Sequence, residues 1–439
     1  MIGEWMRVNV HVVPLAIQAM LVQYDWRTAQ DGQRAPAQED NPIIRWTRIG
    51  LVPISLGLLS RDQLALRLDP TFSAANKITL GCLFAGQFFK TFLFAFIRPP
   101  SSKQPPSRPP PHNPHQSLLF TFIASLALLF NGSSNPSKQF KLVTGSNTIR
   151  SDVVFLMSTM RRLALLNVLG GIGLYACKSL NDEVLVGRYP IMEQYKPQLM
   201  AVVWGVMVWS SIDLMGCMAR MSLLGIKWGN ALLCRWIPLY QHALSKELSL
   251  TDLEESCPFH FEKIPLTASS ITDFWSRHWH GLLRDLFIEA GSIPLTSLVL
   301  WASGSRKPHP KFLRLCGIMG AFTVSAIVHE VGMWTAGPFD WRLRTSIFFI
   351  SQGVGVCLEN VFKSLTSRAV GGPLGRLWTY SWLVLFGSPM ISSWMRNMAL
   401  DQPKLSAHLD QLGFWKILLT PFILLHIISS LPSLPSENA

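Results

Sequence analysis

The run LCGIMGAFTVSAIVHE, residues 315–330, decides the fold class, because its first fourteen residues carry no charge. Together with the next few residues it predicts a membrane span over 315–334, since a helix needs about 20 apolar residues to cross a bilayer. His329 and Glu330 close this run. A charged side chain in hydrocarbon costs at least about 2.5 kcal/mol, so ionisable groups there usually face a cavity, a partner or a reaction. His329 is therefore a candidate functional residue.

A plainer interpretation of His329 is a neutral side chain that is hydrogen-bonded to a neighbouring helix. In another, His329 lies near the membrane interface and Glu330 points to water. The pair also begins an H-E-x-x-H zinc motif, but Met333 stands where the second histidine ligand is required. We therefore predict no metal site here.

The composition of the whole chain favours a bilayer. Of its 439 residues, 49% are hydrophobic and only 15% are charged, against about 25% charged in an average soluble protein. The net charge of +13 comes from basic residues scattered between apolar runs, which is the pattern of loops that flank spans. We therefore expect membrane lipid, and not nucleic acid, as a partner. The seven cysteines form no C-x-x-C pair, so we predict no disulfide framework and no zinc site.

Further apolar segments predict more spans. They cover 8–24, 79–97, 118–130, 152–177, 199–217, 286–302, 345–362, 378–395 and 414–430. The run 49–59 is too short to cross hydrocarbon alone, so we interpret it as a re-entrant or interfacial piece. These segments predict an all-α integral membrane protein, a bundle of about eight to ten spans that encloses a reaction cavity. We expect a single membrane domain over residues 1–439.

Three weaker features accompany the spans. Residues 99–115 are rich in proline and predict an extended, exposed linker. Asn131 begins a formal N-glycosylation sequon at the end of a predicted span. Glycines near 170–173 and 353–355 lie in apolar helical runs, where glycine more often permits close helix packing than phosphate binding.

The segment SITDFWSRHWHGLLRD, residues 270–285, concentrates aromatic and ionisable side chains. Read as a helix, it places ionisable groups on one stripe: Asp273, Arg277, His280 and Arg284. A second stripe carries Trp275, Trp279, Leu283 and Leu286. Ser270 fits the start of a helix, where its hydroxyl would accept a hydrogen bond from a free backbone N–H.

An interfacial anchor would explain the tryptophans and arginines of this segment, with the rings at headgroup level and the guanidinium groups on lipid phosphates. It does not explain His278 and His280. The alternative is that Arg277 and Arg284 bind an anionic cofactor, because guanidinium groups match phosphate geometry.

The sequence FWSRHWH at residues 274–280, followed about fifty residues later by His329-Glu330 in an apolar helix, resembles the wax synthase-like branch of the membrane-bound O-acyltransferases. The resemblance is closest to fungal members that acetylate terpenoid and meroterpenoid natural products. It covers chiefly residues 270–400, the predicted catalytic region. Ser276 stands where the family usually has glycine, and His278 stands where arginine is common.

This resemblance implies transfer of an acyl group from acyl-CoA to the hydroxyl of a hydrophobic alcohol. Acetyl-CoA would be the co-substrate, with no permanently bound cofactor, and the endoplasmic reticulum the location. The implied catalytic residues are His329, which accepts the proton of the alcohol, and His280, which stabilises the oxyanion or orients the acceptor. Arg277 and Arg284 would bind CoA phosphates. The substrate contacts are assigned to Asp273, Trp275 and Trp279.

Two alternatives stay open. A long-chain acyl-CoA:alcohol wax ester synthase would share the same motifs, because donor length depends on the shape of the tunnel. A transporter in which His329 and Glu330 relay protons is compatible with the hydropathy. It has no evident need for the F-W-x-x-x-W-H segment.

Overall fold

The computed structural model describes residues 8–30, 41–98, 125, 128–129, 133–135, 149–236, 249 and 251–398. In chain order the α-helices are α1 (Val12–Gln30), α2 (Pro42–Gly50), α3 (Val52–Leu68), α4 (Ala74–Phe96), α5 (Ile149–Asn181), α6 (Glu183–Arg188), α7 (Pro190–Trp236), α8 (Leu253–Ser256), α9 (Ile271–Asp273), α10 (Arg284–Phe287), α11 (Ile293–Ala302), α12 (Pro310–Ala336), α13 (Arg344–Thr366) and α14 (Gly372–Met398). A 3₁₀ turn covers Pro265–Thr267, and π turns cover Phe274–His278 and Ile288–Ser292.

Helices long and apolar enough to cross a membrane dominate the described residues. They are Pro42–Leu68, Ala74–Phe96, Arg150–Asn181, Pro190–Trp236, Arg284–Ala302, Pro310–Ala336 and Arg344–Thr366. The predicted all-α integral membrane fold is thereby confirmed. The predicted span 414–430 and the proline-rich stretch 99–115 lie outside the described residues, and only three residues of 118–130 lie within them.

The span predictions differ from the structure at three places. The run 49–59 is part of a longer candidate span and not a separate short piece. The helices α2 and α3 adjoin at Leu51 and together give a candidate span of 27 residues. The helices α1 and α14 overlap the predicted spans 8–24 and 378–395, but they are not among the helices apolar enough to cross a membrane. Inside α2, Arg48 is buried and lies 3.5 Å from Asp25. The helix therefore continues through a charged residue at which the apolar run 49–59 stops in the sequence.

Contacts within the chain divide it into two compact units. Unit 1 comprises Met1–Asp69, Thr79–Phe140 and Leu282–Thr335, and unit 2 comprises Pro70–Ile78, Lys141–Gly281 and Ala336–Ala439. His329 and Arg284 therefore lie in unit 1. The other predicted site residues with a described position lie in unit 2: Asp273, Trp275, Arg277, Trp279 and His280.

In unit 1, glycines allow α12 to approach its neighbours closely. A Cβ atom on Gly291 would clash with the carbonyl of Gly320, and one on Gly317 would lie 2.6 Å from Ser292 Oγ. An apolar cluster formed by α4, α10 and α12 surrounds Val324 and Val328. The helix that carries His329 is thus packed backbone to backbone against the π turn Ile288–Ser292.

In unit 2, basic side chains of α5 and α7 donate hydrogen bonds to the 251–261 segment. Arg220 is fully buried, donates to the Cys257 carbonyl at 2.6 Å, and lies between the rings of Phe155 and Phe259. Arg162 donates to the Phe261 carbonyl at 2.9 Å. These bonds hold the polar segment that leads into the 270–281 region.

Burial of this segment also shifts two ionisation equilibria. Burial raises the pKa of the Cys257 thiol, although the nearby Arg220 acts in the opposite direction. Burial lowers the pKa of His260 more than the carboxylate of Asp213 raises it. Both groups are therefore held in their neutral forms near neutral pH.

Candidate functional site

The helix of the 270–285 segment begins where the sequence predicts. Ser270 has an extended backbone, with φ −156° and ψ 160°, and its hydroxyl accepts the N–H of Asp273 at 2.9 Å. After Asp273 the chain forms a π turn in which Trp279 N–H donates to the Phe274 carbonyl at 2.8 Å. Trp279 then adopts an extended backbone and ends the helix. Single π turns of this kind are frequent at functional sites.

The predicted continuous helix is therefore wrong beyond His278. The ion pair between Asp273 and Arg277 at 3.2 Å, four residues apart, follows the prediction. His280 lies past the helix end, and Arg284 begins α10 in the other unit. The stripe of four ionisable groups is consequently broken. The second stripe keeps only its first pair, since Trp275 and Trp279 have ring centroids 6.0 Å apart.

His278 has a structural role. It is buried, its Nδ1–H donates to the Ile264 carbonyl at 2.8 Å, and its Nε2 lies 3.2 Å from the Asp273 carboxylate. It thereby ties the π turn to the Pro265–Thr267 turn that precedes α9. Asp273 is equally occupied, because it also accepts the N–H of Ser269 at 3.2 Å.

An aromatic cluster surrounds Trp275 and Trp279. Trp279 stacks on Phe274 at 5.3 Å, and its ring centroid lies 5.4 Å from that of His280. The remaining rings of the cluster are Phe261, Phe348 and Phe349. Trp275 Nε1–H donates to Gln352 of α13 at 3.3 Å. Half-buried Trp275, Trp279 and His280 thus form a mostly apolar surface with a few polar atoms, which is the composition of ligand sites.

Glu359 is a residue that the sequence analysis missed. It lies on α13, is 6% exposed, and accepts the N–H of Ile271 at 2.7 Å and of Thr272 at 2.9 Å. Trp378 Nε1–H donates to the same carboxylate at 3.1 Å. The available signal was a carboxylate inside the apolar run 345–362, because an ionisable group in such a run usually faces a cavity, a partner or a reaction.

His329 lies on α12 in unit 1 and is half-buried. Its Nδ1 lies 2.8 Å from the Ser325 carbonyl. Because a carbonyl can only accept, a neutral ring carries its proton on Nδ1 and its basic lone pair on Nε2. Glu330 is only 7% exposed, so the interpretation in which Glu330 points to water is wrong.

The two arginines that were assigned to phosphates are both at the surface of their units. The side chain of Arg277 is 64% exposed, and Arg284 is also exposed. Asn131 lies outside the described residues, but Ser133 of its sequon is buried and donates to Glu289 at 2.5 Å. Among the residues that the structure describes, no group of three His, Cys, Asp or Glu side chains is placed to hold a metal ion.

A cavity of about 580 Å³ in unit 2 does not include the candidate residues. Asp340, Arg344 and Arg396 are among the residues that line it. It lies at the start of α13, about 22 Å along that helix from Glu359 at 1.5 Å per residue. We assign it no part in the site.

The comparison with protein families falls on this part of the chain. Residues 257–351 match the model of the membrane bound O-acyl transferase family. This region contains both the FWSRHWH segment and His329. It is about a fifth of the chain, and no solved structure matches the protein.

Curated relatives from Arabidopsis thaliana match a similar length. A protein named "Probable long-chain-alcohol O-fatty-acyltransferase 8" is 27% identical over 128 residues, which is 29% of this chain and 36% of the relative. "Acyl-CoA--sterol O-acyltransferase 1" is 29% identical over 121 residues, 26% of this chain and 31% of the relative. The chain therefore aligns with about a third of the length of these relatives. The matches support the resemblance to wax synthase-like enzymes and leave the finer likeness to fungal acetyltransferases as a proposal.

Proposed function

We propose that this protein is a membrane-bound O-acyltransferase that transfers an acyl group from acyl-CoA to the hydroxyl of a hydrophobic alcohol. The observation that carries the proposal is the family match over 257–351, which includes His329. The bond from His329 to the Ser325 carbonyl supports it, because a neutral ring that donates from Nδ1 has its basic lone pair on Nε2, as a base for an alcohol requires.

In the proposed reaction, His329 Nε2 accepts the alcohol proton while the alcohol oxygen attacks the thioester carbonyl. The tetrahedral intermediate then collapses, the bond from carbon to sulfur breaks, and the CoA thiolate takes the proton from His329. The products are an ester and free CoA. General base catalysis of this kind typically contributes about 10²- to 10⁴-fold in rate.

The other residues of the motif are assigned to substrates. Arg277 would bind CoA phosphates, since its guanidinium is exposed and phosphates pair well with arginine, and Arg284 has the same assignment. Trp275 and Trp279 would contact the apolar acceptor, and His280 would donate to the developing oxyanion or orient the alcohol. Asp273 would act on the substrate by holding Arg277.

The donor and acceptor are the finer part of the proposal. We propose acetyl transfer from acetyl-CoA to a hydroxylated terpenoid or meroterpenoid, with residues 270–400 as the catalytic region of a single membrane domain. We place the protein in the endoplasmic reticulum. A second candidate is transfer of a long acyl chain to a fatty alcohol or a sterol, which the names of the Arabidopsis thaliana relatives favour.

Microsomes that contain the protein would be incubated with acetyl-CoA, palmitoyl-CoA, and a panel of hydroxylated terpenoids, fatty alcohols and sterols. Ester products identified by mass would name the donor and the acceptor together. We expect an ester from at least one pair, and its absence with His329→Ala. If every pair gives no ester above empty microsomes, the enzyme assignment fails. Proton uptake by proteoliposomes would then support the transporter.

A further inference from the structure

One face of α13 contacts α9 and the first tryptophan of the FWSRHWH motif at three successive levels. Gln352 accepts from Trp275 Nε1, and Glu359 accepts from the backbone of α9. Between them, a Cβ atom on Gly355 would lie 2.6 Å from Ile271 Cδ1, so this side chain packs closely against the backbone of α13. Positions 352, 355 and 359 share one helix face, since their separations of three and four residues are those of neighbouring turns.

Glu359 binds the start of α9, just before the motif. Its two carboxylate oxygens accept two successive backbone N–H groups, from Ile271 at 2.7 Å and Thr272 at 2.9 Å. These are free donors in the first turn of a helix, where a carboxylate also meets the positive end of the peptide dipoles. The two hydrogen bonds fix both the position of α9 along α13 and its rotation, because each oxygen is bound to one amide.

We propose that Glu359 is a positioning residue for acyl transfer: its carboxylate fixes the start of α9 and thereby the place of Trp275 and His280. This inference rests on the proposed function. A three-residue α-helix followed by a π turn has little stability of its own, so its geometry depends on outside partners. A buried acid that only stabilised the fold would not affect the turnover of correctly folded molecules.

The decisive variant is Glu359→Gln. Glutamine has nearly the same size and keeps one oxygen for one of the two amides. Its NH₂ group, however, would face the other N–H, so one charge-assisted bond is lost and two donors oppose each other. Glu193→Gln is the matched control, because Glu193 is an exposed acid in the first turn of α7.

Two quantities would be measured on monodisperse protein in detergent. The first is hydrogen exchange of peptides that cover residues 270–280. The second is kcat per folded molecule with the donor and acceptor found in microsomes. For Glu359→Gln we expect exchange to become at least about tenfold faster and kcat to fall about 10- to 100-fold, from the range for hydrogen bonds to charged groups. Glu193→Gln should change neither.

Unchanged exchange in Glu359→Gln would overturn the proposal, as would faster exchange with an unchanged kcat per folded molecule. If that variant does not fold, Glu359→Asp keeps the charge but withdraws it by one methylene group, and the same two results are required of it. If the wild-type protein forms no ester with any pair, the proposed function fails by itself. Hydrogen exchange over residues 270–280 then still decides whether Glu359 holds the start of α9.

Discussion

His329 and the FWSRHWH motif are positioned in opposite ways. The ring of His329 is oriented by its own helix, because the Ser325 carbonyl one turn earlier is within 2.8 Å of Nδ1. Trp275 of the motif and the start of α9 just before it are bound by partners far along the chain, Gln352 and Glu359, at separations of 77 and 88 residues. A long helix supplies local bonds at every turn, whereas a short helix with a π turn must take its geometry from neighbours.

The largest expected effect concerns His329, whose ring is oriented by its own helix. His329→Ala removes the proposed base and should lower kcat at least about 100-fold. Membrane insertion and expression should stay normal, because the glycines and valines that pack α12 are unchanged. Product mass after incubation of microsomes measures the loss. Thr323→Ala, an exposed site on the same helix, is the control, and full activity of His329→Ala would refute the assignment.

A second change tests whether α12 depends on close backbone contact. Gly291→Ala places a methyl group against the Gly320 carbonyl, so we expect a loss of about 1 to 3 kcal/mol in the free energy of unfolding from overpacking. Thermal melting of the purified protein measures it. Gly225→Ala is matched, because a Cβ atom at Gly225 meets nothing within 4 Å. Equal melting temperatures for the two variants would contradict the packing described here.

A change at the start of α9 tests how far this helix depends on partners that are distant in the sequence. Ser270→Ala removes the hydroxyl that accepts the Asp273 N–H, which should cost about 1 kcal/mol of local helix stability. Glu359 still holds the two preceding amides, so we expect a smaller gain in hydrogen exchange over 270–280 than in Glu359→Gln. If hydrogen exchange over 270–280 rose more in Ser270→Ala than in Glu359→Gln, the Ser270 cap, and not α13, would be the main support of α9.

The smallest expected effects concern the exposed arginines. Arg277→Ala and Arg284→Ala should each raise the KM for acyl-CoA several-fold, with kcat nearly unchanged, because a lost surface contact to a phosphate costs about 1 kcal/mol. The rise should shrink at high salt, where such contacts are screened. Initial rates at varied acyl-CoA measure both quantities. If KM stays the same in both variants, neither guanidinium binds the cofactor.

The sequence predicted several features because they depend on short stretches. The apolar runs gave the helical membrane fold, Ser270 marked a helix start, and the glycines at 170–173 and 353–355 predicted close packing. Gly173 and Gly355 do lie against Met207 and Ile271. The family resemblance at 274–280 was supported by the match over 257–351. Each of these signals lies in a continuous stretch of sequence that contains the residues it describes.

Other features could not be predicted in this way. The end of the motif helix at Trp279 is set by a π turn, which no periodicity in the sequence marks. The span Pro42–Leu68 extends through Arg48, whose charge faces the buried Asp25 and so does not end the helix. His278 could not be separated from His280 until Ile264 and Asp273 were found at its two ring nitrogens.

By itself, the sequence determined that this chain is a helical membrane protein with His329 in an apolar span, because hydropathy and helix hydrogen bonding act over neighbouring residues. The tertiary structure decided how the FWSRHWH motif ends, which histidine is structural, and that Glu359 holds the start of α9. Those outcomes depend on atoms from α13 and from the 264–267 turn. Only folding brings them within hydrogen-bonding distance of the motif.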